Sequence, residues 1–75
     1  MELELVSVEY TIQNNVRVRS LVLVEGGTDL AAVVQILLRL YKNSLYGVED
    51  AQEVGRVLFH AEDAYVLGLK VGGVI

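Results

Sequence analysis

Residues 22–29 read VLVEGGTD: an apolar run, a glutamate, two glycines, then a threonine–aspartate pair. Two carboxylates, Glu25 and Asp29, straddle a turn that the glycines make tight. A carboxylate at a strand's end stands where substrate can reach it, as a general acid or base or as half of a metal site. Glycine also lets a phosphate approach the backbone as a helix begins. The same residues suit a structural role, in which Gly26 and Gly27 make the strand-to-helix turn and Thr28 and Asp29 cap the helix. Elsewhere the chemistry is sparse. The chain has no Cys and one His, His60, which excludes thiolate zinc and His-rich sites. His60 falls near the end of an expected helix, where a dipole contact is its role. No base for Ser7, Ser20 or Ser44 is identifiable, and Gly26-Gly27 lacks the Lys-Ser/Thr of a phosphate-binding loop.

The stretch LVLVEGGTDLAAV, residues 21–33, resembles the first motif of the Toprim domain, found in primases, topoisomerases and the maturation nuclease of 5S RNA. In that family an apolar strand ends in Glu-Gly, and an Asp follows the Glu by four residues as a helix opens. Glu25, Gly26 and Asp29 occupy those positions. The resemblance implies a metal-dependent nuclease in which Glu25 works as general acid or base and Mg²⁺ is the cofactor. Glu25 and Asp29 would be completed by Glu62 or Asp63 of another subunit. The family's later Asp-x-Asp has no counterpart in this chain.

Composition points toward association instead. Seventy-five residues form one small domain, and a chain of that size buries only about 60% of its unfolded surface. Yet 53% of the residues are hydrophobic and the mean hydropathy is +0.46. That is more apolar side chain than one small core hides, and a second copy is the simplest cover. No run approaches the roughly 18 apolar residues of a membrane span. The acidic start, MELELV, is opposite to a basic leader, so the expected location is the cytoplasm, or a host's if the protein is viral. Ten acids outnumber six scattered bases, giving a net charge of −4, so no basic track for nucleic acid exists. Glu49, Asp50, Glu53, Glu62 and Asp63 form an acidic stretch that fits either a solvated helix face or a basic protein surface.

The elements that must position these residues follow from periodicity. VEYTI and VRVRS alternate with period two around QNN, which predicts a β-hairpin over 2–25. A three-residue loop, Gln13-Asn14-Asn15, pairs Ile12 with Val16, Tyr10 with Val18 and Glu9 with Arg19, like with like. One hairpin face is then apolar throughout, and the other is polar at the tip but apolar at its base. A helix over 28–42 follows, apolar nearly all round, with Arg39 and Lys42 at its C-terminal end. Ala51, Val54, Val57, Leu58 and Ala61 predict a second helix over 49–61. Tyr65, Leu67, Leu69 and Val71 alternate and predict a strand over 65–71, with Gly68 at a bulge.

The expected fold is therefore α+β, a two-layer β-β-α-α-β domain whose three-stranded sheet carries both helices on one face. The expected function is a small acidic, non-enzymatic interaction module that self-associates, of the kind that serves as a phage- or virus-encoded inhibitor or an assembly subunit. Leu3, Leu5, Leu21, Leu23, Ile36, Leu40, Val74 and Ile75 are its expected self-association residues. The four tyrosines, amphipathic in character, suit the same interface.

Overall fold

A computed structural model describes residues 2–41, 45–46 and 50–75. The element order is β1 (Glu2–Ile12), β2 (Val16–Glu25), α1 (Leu30–Tyr41), β3 (Leu45–Tyr46), β4 (Gln52–His60), α2 (Ala61–Leu67) and β5 (Gly73–Val74). The class is α+β, and every strand pairing is antiparallel. Strand β1 is central: β2 runs along one edge, while β4 and the short β3 share the other, and β5 extends the sheet beyond β2.

The hairpin forms in the register that side-chain matching dictates. Ile12 stands opposite Val16, Tyr10 opposite Val18 and Glu9 opposite Arg19. Asn14 and Asn15 both take left-handed backbone, φ 63° and 61°, which asparagine tolerates better than most side chains. Even-numbered residues of both strands face α1. There Val6, Val8, Tyr10, Val22 and Val24 bury against Val33, Ile36 and Leu37. The Tyr10 hydroxyl does not go unsatisfied in this core, lying 2.6 Å from Ser20 Oγ. Tyr10 is thus a core residue and not part of an interface.

The second half of the chain departs from the expected β-β-α-α-β order. Residues 52–60 form a strand, where a helix over 49–61 was expected. Val54, Val57 and Leu58 have helical spacing, but a nine-residue strand on β1 satisfies a whole edge of backbone donors and acceptors that a helix would leave open. A bulge also disguises the period-two pattern. Ser7 pairs with Gly55 and Val8 with Glu53, so Val54 is an extra residue. Beyond it the facing reverses, and Ala51 joins the α1 side of the core.

Residues 61–67 form a helix where a strand over 65–71 was expected. Glu62 and Asp63 lie in its first turn, where the helix dipole favours anions. Gly68 is its left-handed C-terminal stop, φ 71°, and not a bulge. Its amide donates to Tyr65 O at 3.1 Å and the Leu69 amide to Ala64 O at 2.9 Å, a Schellman closure. His60 immediately precedes this helix, at its positive end instead of a C-terminal one.

Helix α2 packs on the sheet face opposite α1, so the two helices do not share a face. Ala64 buries against Leu3 and Leu23, with Leu5, Phe59 and Leu69 around them. Leu3 and Leu23 are therefore covered within the chain, as is Ile36 beneath α1. Val74 also turns home, pairing with Val22 and packing on the α1 side of the core. Of the expected self-association residues, Leu21, Leu40 and Ile75 remain exposed. Among the described residues no helix is long and apolar enough to cross a membrane.

The two leucines of β2 make a direct test of this packing. Leu23 is fully buried and Leu21 is 38% exposed. Leu23→Ala is expected to cost about 3 kcal/mol in urea unfolding, and Leu21→Ala less than about 1 kcal/mol.

Candidate functional site

The glycine turn of the EGGTD stretch is held by its own residues. Thr28 Oγ1 donates to Glu25 O at 2.7 Å, and the Thr28 amide reaches the same carbonyl at 3.2 Å. Asp29 Oδ1 accepts the Ala32 amide at 3.0 Å, so Asp29, not Thr28, caps the helix. Gly27 has φ +86°, a backbone region that side chains rarely adopt. The Gly26 amide donates to Glu2 O at 2.9 Å and continues the hairpin ladder by one rung.

This turn is tied to β4 by an ion cluster that no local sequence pattern signals. Arg56 Nη1 lies 3.0 Å from Glu4 Oε1 and 2.6 Å from the Thr28 carbonyl. Arg56 Nη2 donates to Glu53 Oε1 at 2.7 Å, and Nε to Oε2 at 3.3 Å, a two-pronged contact. Glu4 Oε1 also accepts the Gly27 amide at 2.8 Å. In an unbroken strand Glu53 and Arg56 would point to opposite faces; the extra residue Val54 puts them on one. The Gly27 amide and then the Arg56 guanidinium hold the Glu4 carboxyl below the usual carboxylate range. Arg56 does the same to Glu53, and its own pKa is raised by Glu53 and then Glu4.

A second cluster closes the hairpin tip on the other face. Glu9 accepts from Arg19 and lies 3.5 Å from Arg17 Nε. Asp50 Oδ2 accepts from Thr11 Oγ1 at 2.6 Å and lies 3.0 Å from Arg17 Nη1. Contact with Arg19 lowers the Glu9 pKa, and the Thr11 hydroxyl leads the lowering at Asp50.

These contacts disperse the acidic stretch. Asp50 lies at the hairpin tip, Glu53 on Arg56, and Glu62 and Asp63 at the start of α2; Glu49 falls outside the described residues. Glu2, Glu4 and Glu25 do line an open depression with Gly26, Gly27 and Leu58. Among the described residues, however, no three Asp, Glu or His side chains are grouped so as to hold a metal ion, and Glu25, Asp29 and Asp63 form no such set. The carboxylate of Asp29 is engaged in capping.

The other notable surface is apolar. Val57 and Leu58, on opposite faces of β4, are 60% and 69% exposed. Tyr65 and Val66 on α2 reach 87% and 79%, with Leu67 exposed beside them. Helix α2 has seven residues and buries only Ala64, so the rest of its apolar surface stays uncovered. Sequence reading assigned Val57 and Leu58 to an inward helix stripe and so missed this patch. Their position beside an excess of apolar residues was the available signal. Comparison with protein-family models, with curated proteins and with solved structures finds no match to this chain.

Two expected outcomes follow from the clusters. Glu4, Glu9, Asp50 and Glu53 all bind protons less readily in the fold than in the unfolded chain. Their contribution is complete above the unfolded values of about 4 and is lost as pH falls through the lower folded ones. The melting temperature should hold from pH 7 to about 5 and drop below that, with a shallower acid limb in Glu4→Gln. Asp29→Ala should cost about 1 kcal/mol through the lost cap, equally with and without Mg²⁺; a loss confined to Mg²⁺-containing buffer would assign Asp29 to metal.

Proposed function

We propose that the chain is an interaction module that self-associates and acts by protein–protein contact. The observation that carries this reading is the exposure of Val57 and Leu58 on the two faces of β4 and of Tyr65, Val66 and Leu67 on α2, the helix that directly follows that strand. Among the described residues β4 hydrogen-bonds to β1 alone, so its other edge offers unpaired backbone groups. A sheet edge flanked by exposed apolar side chains invites another chain. Two of the carboxylates beside the glycine turn have structural partners: Glu4 binds the Gly27 amide and Arg56, and Asp29 caps α1. The reading fits an inhibitor or an assembly subunit, and the net charge of −4 suits a basic protein partner.

Sedimentation equilibrium at micromolar concentration tests it. A dimer or larger species is expected, and it should persist at high salt because the contact is apolar. The double variant Tyr65→Ser, Val66→Ser should stay folded, since both side chains are exposed, and should shift the equilibrium toward monomer. A wild-type chain that sediments as a monomer throughout would contradict the proposal.

A further inference from the structure

Resting on that self-association, we infer its geometry: two copies join by antiparallel pairing of β4 with β4 about a two-fold axis at Leu58, making one continuous sheet. The hydrogen-bond phase of the sheet supplies the first constraint. Gly26 donates to Glu2 O on the hairpin side, and Ile75 donates to Leu21 O on the outer side of β2. The ladder therefore turns the even residues of β1 toward β2 and its odd residues toward β4. Leu3, Leu5 and Ser7 pair with Phe59, Val57 and Gly55, so these three β4 residues spend their backbone groups on β1. Arg56 and Leu58 direct theirs outward, as does the His60 amide, while the His60 carbonyl, at the N-cap of α2, serves the first turn of that helix.

Only a few two-fold registers use those groups. Centring on Arg56 sets the bulged residue Val54 opposite Leu58, where the ladder is broken. Centring on Val57 puts Arg56 opposite Leu58, mixing charge with apolar surface. Centring on Phe59 or His60 slides the pair off the end of β4, where α2 begins. Centring on Leu58 matches in kind: Leu58 meets Leu58, Val57 meets Phe59 and Arg56 meets His60. The segment Val57-Leu58-Phe59 is apolar in both directions, so a second copy supplies its own complement. The Leu58 pair exchanges two backbone bonds, and each Arg56 carbonyl can accept the other copy's His60 amide.

Access and area agree. At His60 the chain leaves the edge and folds inward, carrying Ala64 onto Leu3 and Leu23, so α2 does not shield the outer side of β4. The bulge at Val54 bends the strand and ends any flat pairing on that side. Five residues of strand alone cover less than the about 800 Å² per partner of a stable interface. Exposed Val57 and Leu58, one on each face of β4, and Tyr65 and Val66 on the helix that follows it are the apolar side chains available for the remainder.

The chain contains no Cys, which makes single-cysteine cross-linking clean. Directly opposed residues in a hydrogen-bonded pair have Cα atoms about 5.5 Å apart, within disulfide reach. Leu58→Cys should oxidise to a covalent dimer, while Leu21→Cys and Val16→Cys, both at exposed positions away from β4, should not. Leu58→Pro removes only an outward amide, so it should keep the fold and weaken the dimer at least about 30-fold in sedimentation, the effect of two lost backbone bonds. An associating protein in which Leu21→Cys cross-links and Leu58→Cys does not would overturn the β4 pairing and leave self-association standing. A monomeric wild type would overturn both. A Leu58→Pro chain that unfolds would overturn the assignment of an outward amide at Leu58, and with it the register.

Discussion

Strand β1 hydrogen-bonds along both of its edges and carries apolar side chains on one face and at the base of the other, and the rest of the fold answers those demands. Its even side chains, Val6, Val8 and Tyr10, require a cover, which α1 provides with Val33, Ile36 and Leu37. Its odd side chains at the base, Leu3 and Leu5, require another, which α2 provides through Ala64. Its two edges require two long strands, β2 and β4. One small domain thus has a helix on each side of a sheet. The second cover is only seven residues long, so it leaves apolar surface over. That shortfall, not excess composition spread evenly over the surface, is what an association would relieve.

The ion clusters fix where β4 can lie. Arg56 joins Glu4 of β1, Glu53 of its own strand and the Thr28 carbonyl at the head of α1. One residue of slip would move Arg56 to the other face, away from Glu4 and the Thr28 carbonyl. The bulge at Val54 is part of the same device, since without it Glu53 could not share the guanidinium. Asp50 does a similar task at the other end by binding Thr11 and Arg17. Such pairs at a half-exposed surface add little stability individually. Their effect here is to mark one register of β4 against β1.

The hairpin and its register were legible in the sequence because pairs match in kind from Ile12–Val16 to Glu9–Arg19 and the loop is built of turn formers. Helix α1 was legible from its spacing, and the capping role of Asp29 from its place before an apolar helix. Residues 52–67 were not. A bulge breaks alternation, so Val54, Val57 and Leu58 mimic a helix stripe within a strand. Tyr65, Leu67 and Leu69 alternate by chance across a helix and its cap. Two signals pointed the right way: Glu62-Asp63 suited a helix start, and Gly68 suited a helix stop. The cluster around Arg56 joins residues 52 apart in sequence, which no local pattern reveals.

Residue-resolved amide hydrogen exchange along β4, measured at low and high protein concentration, tests the central claim most directly. Val57 and Phe59 should be protected at both concentrations by their bonds to β1. Leu58 and His60 should exchange freely when dilute and become protected as the chain associates. Protection of Leu58 in the dilute monomer, or of consecutive amides throughout 52–60 as in a helix, would contradict the account.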